Sequence, residues 1–263
     1  MPASAMRVAD ELRGLAAAVA FLTRVPAGRA IELGAPDVAR GVVAFPLVGA
    51  AIGLATGATA TWLSGPLPAG TAGAVALLVA VVLTGALHLD GLADTADAIG
   101  GRTREASLGI MRDPRVGSYG AVAIAMLLLI EASALAALGR DARTVDVVAA
   151  FALARAVAPA VAALLPYARE GDGLGRALNA REGDGLGRAL TSRVRPPLAV
   201  AVALALVAVL QPRHLLALVS VAAACACGAA AFCRQRFGGM TGDTLGATIA
   251  VTQMVCLAVA CLG

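Results

Sequence analysis

Lysine is missing from this 263-residue chain, whose positive charge is carried by 21 arginines against 17 acids. An Arg- and Ala-rich vocabulary is what a GC-rich coding sequence writes, so the absent lysines carry no functional weight. Charge of either sign is scarce: charged residues make up 14% of the chain and aromatics 3%, where a soluble domain has roughly a quarter charged. Apolar residues reach 59%, and the mean hydropathy is +0.84. A soluble fold of this length would leave a large apolar surface open to water. A soluble enzyme is therefore excluded. No Cys-x-x-Cys pair occurs, and Cys225, Cys227, Cys233, Cys256 and Cys261 lie in or beside apolar stretches with no histidine near them. These thiols read as small hydrophobes, which excludes a zinc site or a disulfide framework as the organising element.

What remains is an all-α, polytopic membrane helix bundle forming one domain over residues 1–263. A spanning helix needs about 20 mostly apolar residues. Seven stretches qualify or nearly do: 41–63, 70–89, 117–138, 147–166, 198–211, 214–232 and 244–262. The fifth is short. At 14 residues it predicts either a helix tilted into a thin region or a re-entrant hairpin with its successor. Ahead of the bundle, in the segment 1–40, Val8, Leu12, Leu15, Val19 and Leu22 recur at helical spacing with acids among them. They predict an amphipathic helix lying on the membrane surface. A secretory signal is the alternative, and the early acids argue against it.

Arginine placement orients the bundle. Seventeen arginines fall in the N-terminal segment and in the loops after the second, fourth and sixth spans, and three fall in the loops between them. The positive-inside rule then puts the N-terminus in the cytoplasm and the C-terminus outside. The loop after the fourth span holds AREGDGLGRAL twice, at 168–178 and 180–190. Gly171, Gly173 and Gly175 do not follow a strand, so they are a weak phosphate motif. The tandem copy reads as a duplication in a tolerant loop.

Acids are rare enough that a group of them beside a span stands out. In HLDGLADTADAIGGR, residues 88–102, Asp90, Asp94 and Asp97 recur at i, i+4 and i+7, on one face of a helix. An all-acid face in an otherwise basic setting predicts a divalent cation site, with Mg²⁺ the expected ion and Mn²⁺ the alternative. Such an ion compensates charge on a diphosphate as it is cleaved. His88 adjoins the cluster as a ligand, a proton carrier or an interfacial side chain. Downstream, in IMRDPRVGSYG (110–120), Arg112 and Arg115 join Arg102 as candidate phosphate contacts. Asp113 is a candidate ligand or general base. Arg155 lies within a span, where it faces either Glu131 or a bound anion. In GGMTGDTLGA (238–247), Thr241 and Asp243 open the last span, as a helix cap or as part of the same polar site.

HLDGLADTADA, IMRDPRVGSYG and GGMTGDTLGA in this order, with FLTRVP at 21–26, resemble the cobalamin synthase family of adenosylcobinamide-GDP ribazoletransferases. The resemblance covers nearly the whole chain. It implies a bacterial inner-membrane enzyme of the last stage of adenosylcobalamin assembly, with its active site on the cytoplasmic side. The implied reaction joins α-ribazole or its 5′-phosphate to adenosylcobinamide-GDP, uses Mg²⁺ and releases GMP. The family's acidic motif falls on Asp90, Asp94 and Asp97, and its Arg-Asp segment on Arg112 and Asp113. The chain departs from the family on the last helix, where Ala250 and Gln253 stand in place of carboxylates. Membrane lipids are further expected partners, nucleic acid is not, and a homo-oligomer is left open. The rival readings are a CDP-alcohol or prenyl transferase acting on lipid and, ranked last, a transporter, which would spread its polar residues at mid-membrane.

Overall fold

A computed structural model describes residues 3–27, 33–168, 196–211 and 214–262. The tandem copies and the arginines among them lie, beyond Ala168, outside the described residues. The elements are α1 (Ala3–Leu22), α2 (Ala35–Gly41), α3 (Phe45–Leu63), α4 (Ala69–Thr84), α5 (Leu87–Asp97), α6 (Arg104–Ile110), α7 (Ser118–Arg140), α8 (Thr144–Leu164), α9 (Pro196–Leu210), α10 (Leu215–Phe237) and α11 (Gly242–Ala260). One isolated bridge, between Tyr167 and Met240, is the β-type pairing among the described residues. A helix satisfies its own backbone groups, which is what an apolar solvent demands of a spanning segment.

Every stretch expected to span carries a helix, but not every one is a straight crossing. Among the described residues, five helical segments are long and apolar enough: Pro36–Leu63, Ser118–Arg140, Thr144–Leu164, Leu215–Phe237 and Gly242–Ala260. The second expected span, 70–89, is broken. Gly85 (φ +62°) and Ala86 (φ +59°) are both left-handed, and between them the axis of Ala69–Thr84 turns by 90° into Leu87–Gly100. Counting that bent pair as a crossing gives up to six among the described residues, beside the shorter apolar helix α9. The fifth, α9, is about 22 Å long at 1.5 Å per residue, still short of the hydrocarbon thickness.

The core is organised around α8, where residues from Asp146 to Ala162 are buried almost without interruption. α3 runs along it with Gly49, Gly53 and Gly57 on the contact face; a Cβ at Gly49 would sit 2.5 Å from the Phe151 carbonyl oxygen. Small residues at a crossing are how membrane helices approach closely. α11 packs between α8 and α5, and α10 is largely exposed. α1 is helical as its spacing predicts. It buries Ala17, Ala18 and Leu22, leaves Leu12 and Leu15 outside, and is pinned to α2 by Arg13 donating to Asp37 at 3.2 Å.

Cross-links between distant segments define one end of the bundle. The Arg24 amide donates to the Leu83 carbonyl at 2.7 Å, and around the Tyr167–Met240 bridge the Met240 amide donates to the Pro166 carbonyl at 2.9 Å while the Met240 carbonyl accepts from the Ala168 amide at 2.8 Å. Arg104 Nη2 reaches the Ala168 carbonyl at 3.0 Å, and Arg236 Nη2 reaches the Ile99 carbonyl at 2.8 Å. These contacts gather the segments that arginine counting had assigned to one side. At the opposite end, Ser64 meets the Gly139 carbonyl at 3.2 Å and Thr61 meets Thr144 at 3.0 Å.

Candidate active site

The acidic motif does not continue the second span. Because the chain turns after Thr84, it forms a separate helix, α5, laid across the end of the bundle. Its seat is set by Gly91, where a Cβ would come within 2.6 Å of the Asp243 carbonyl oxygen and 3.2 Å of the Gly246 Cα. The backbones of HLDGLAD and GDTLGA therefore touch, and that contact explains a glycine between two carboxylate-bearing turns. Asp90 and Asp94 flank the crossing, Asp90 exposed and Asp94 half-buried, with Asp243 half-buried in the first turn of α11.

Asp97 does something else. Its two oxygens accept from the backbone N–H groups of Gly117 (2.7 Å) and Gly120 (2.9 Å), at the N-terminus of α7. A carboxylate there satisfies amides that have no partner within the helix and lies at the positive end of its dipole. Side chains at the two glycines would collide with it: a Cβ at either would sit 2.5 Å from an Asp97 oxygen. The glycines of VGSYG are thus explained by an acid 20 residues earlier. The three aspartates expected to converge on a cation are divided. Among the described residues, no three His, Cys, Asp or Glu side chains gather closely enough to hold a metal ion. Asp97 is the last residue of α5, and its side chain is spent on the α7 amides.

The loop between α5 and α7 carries exposed Arg102, Arg112 and Arg115. Arg115 is held in a fork by Asp113, with Nε at 2.9 Å and Nη2 at 2.6 Å. These hydrogen bonds hold the Asp113 carboxyl down to about 2. Both Asp113 oxygens are engaged by Arg115 in this arrangement, which orients that guanidinium. Thr241 is likewise committed: fully buried, it caps α11 by accepting from the Thr244 amide at 3.2 Å. Its own amide donates to Thr244 Oγ1 at 2.8 Å.

His88 and Arg155 lie deeper. His88, in the first turn of α5, is buried while Asp90 on the same helix is exposed. Arg155 is 1% exposed, with its guanidinium 4.9 Å from the centre of the Phe151 ring. Of the two faces open to it, Arg155 is turned toward Glu131, but through an intermediary. Arg155 Nη1 donates to Gln253 Oε1, and Gln253 Nε2 donates to Glu131 Oε1 at 2.9 Å.

Sequence reasoning had not singled out Arg104 and Arg236, which clamp carbonyls at this end and close the loops around α5. Nothing separates them from other loop arginines until the loops are folded. Gln253 was visible only as a departure from a family pattern; its bridging of two charges needs three helices to meet.

The sequence profile of a family described as cobalamin-5-phosphate synthase matches residues 14–261. Among curated proteins, the adenosylcobinamide-GDP ribazoletransferase of Pseudomonas aeruginosa is 39% identical over 255 residues, covering 94% of this chain and 97% of the relative. The enzyme of the same name from Rhizobium johnstonii is 36% identical over 268 residues, 96% of this chain and 97% of its own. That of Bradyrhizobium diazoefficiens is 37% identical over 263 residues, at 96% and 95%. No solved structure matches.

Proposed function

This chain belongs to the cobalamin-5-phosphate synthase family, and we propose that it performs the reaction for which its relatives are named. It transfers α-ribazole or its 5′-phosphate to adenosylcobinamide-GDP. In that reaction a ribazole hydroxyl attacks the phosphorus attached to cobinamide. A new P–O bond forms, the P–O bond to GMP breaks, GMP leaves, and the hydroxyl proton passes to solvent or a nearby base. The observation that carries this reading is the seating of α5 on α11 at Gly91. That crossing puts Asp90 and Asp94 at the end of the bundle where Arg102, Arg112 and Arg115 are exposed.

A divalent ion fits this end on its donor chemistry. Mg²⁺ is characteristically held by one or two carboxylates with substrate phosphates completing the shell. Asp90 and Asp94 supply that number, and the bonds from Asp97 to the α7 amides support reading it as an anchor beside them. When bound, the ion would compensate charge on the diphosphate. The protein's own groups do the rest: the loop arginines grip phosphate oxygens, Asp113 keeps Arg115 extended toward them, and Asp97 fixes α7 beneath α5. We place this end in the cytoplasm of a bacterium, at its inner membrane, because the arginine-rich segments meet there.

Purified protein in detergent, given adenosylcobinamide-GDP, ribazole phosphate and Mg²⁺, is expected to release GMP, and to stop doing so when a chelator removes the metal. GMP formation that needs no ribazole acceptor, or turnover of a CDP-linked lipid in its place, would count against this assignment.

A further inference from the structure

Below the acidic helix lies a partly open pocket of about 30 Å³ whose wall includes Thr84 of α4, His88 of α5, Glu131 of α7, Arg155 of α8 and both Ala250 and Gln253 of α11. Five helices contribute to it, and every polar member of its wall is buried. Two polar atoms of that wall, His88 Nε2 and Arg155 Nε, are buried without a hydrogen-bond partner among the described residues. A buried polar atom left unpaired costs about 1–3 kcal/mol, so such atoms are nearly always satisfied by something.

Size and charge identify the occupant. A volume of 30 Å³ is far too small for a nucleotide or a corrinoid, and gives room for about two waters at 10–15 Å³ each. The wall contains one carboxylate, one guanidinium, an amide, a hydroxyl and an imidazole, so it neither demands an anion nor a cation. We propose that the cavity is a hydrated site, occupied by water that bridges His88 Nε2 and Arg155 Nε, and that this bridge fixes the first turn of α5. The far end of α5 is held by Asp97 on α7 and its middle by the Gly91–Asp243 contact. Its near end follows directly on two left-handed residues. His88 is the inward polar group in that first turn, and so the handle by which the interior can hold it. On this account His88 is a positioning residue.

Two measurements test the proposal. The chain has two histidines, so ¹⁵N-histidine-labelled His214→Gln protein in lipid nanodiscs reports His88 alone. Solid-state NMR is expected to show the His88 imidazole in contact with slowly exchanging water, and to lose that contact in Ala250→Val, whose added methyl groups occupy the cavity. A dry His88, or a water contact unchanged by Ala250→Val, overturns the hydrated site. The second measurement rests on the transferase reading and follows GMP release from variants inserted to equal levels. His88→Leu is expected to lower kcat about tenfold, with His88→Gln, which can still bond water, recovering most of it. Equal activity of the Leu and Gln variants overturns the positioning role. If wild-type protein released no GMP while the water contact persisted, the transferase reading would fail and the hydrated site would stand, so the two failures are distinguishable.

Discussion

Asp113 and Arg115 meet at the rim of the protein, two residues apart, in water; Glu131 and Arg155 meet in its interior, on different helices, with Gln253 between them. The rim pair needs nothing but a turn of the chain. Exposed ion pairs of this kind contribute little to stability, which leaves Arg115 available to a substrate. The interior pair is bound by the opposite economy. A charge within an apolar bundle is costly unless its partners are in place, and those partners come from α7, α8 and α11. One end of the molecule pairs its charges locally and within reach of water, while the middle uses its charges to hold helices in register.

The comparison can be broken most directly at the acidic helix. Asp94→Asn is expected to lower GMP release by about a hundred- to a thousandfold, the size of losing one charge-stabilising group at a reacting phosphate. Its thermal unfolding in detergent should match wild type. A variant that stayed active would remove the rim from the chemistry.

The interior should respond in the other currency. Arg155→Leu leaves Glu131 and Gln253 facing each other in an apolar bundle and is expected to cost about 3–5 kcal/mol, read as a lowered unfolding midpoint in nanodiscs. Glu131→Gln, which keeps a hydrogen-bonding group, should cost less. If both variants unfolded like wild type and lost only turnover, the interior would belong to the active site after all.

Asp97 sits between these extremes, and Asp97→Ala should cost about 1–2 kcal/mol, as for loss of a helix cap. A several-fold loss of activity is expected alongside, as α7 frays beneath α5. Complete loss of Mg²⁺-dependent turnover with unchanged stability would instead make Asp97 a ligand.

The smallest effect is expected at Asp113. Its carboxyl is held at about 2 by Arg115, below the ordinary carboxylate value. The stabilisation from the pair is therefore complete above roughly pH 4 and disappears only as pH falls through that depressed value. Between about pH 5 and pH 8, Asp113→Asn should track the wild-type stability curve and change the rate only through a less firmly aimed Arg115. NMR titration of the Asp113 carboxyl would check the value. A rate collapse that tracked a group titrating near neutrality would make it the base.

Much of this was readable in advance, and the limits are specific. Composition sufficed for the membrane class, since burying so much Ala, Val and Leu leaves no soluble solution. Helical periodicity located α1 and the ends of most spans within a few residues. The break between α4 and α5 was missed because Gly85 and Ala86 interrupt an apolar run without altering its hydropathy. Spacing at i, i+4 and i+7 correctly put Asp90, Asp94 and Asp97 on one helix. It is silent on what lies opposite each turn, and there Asp97 meets an α7 amide pair. That Thr241 caps α11 and that Asp113 pairs with Arg115 were likewise contacts that only the folded chain displays.

The amino-acid order alone thus determined the solvent this protein folds in, its family and the end of the bundle where charge collects. These are sums over residues, and sums survive ignorance of the fold. Which acid anchors a helix, and which amide joins two buried charges, was decided only when separate helices closed on one another. Those roles depend on close contacts between residues as far apart as Gly91 and Asp243 or Glu131 and Gln253, and no local pattern encodes a contact at that range.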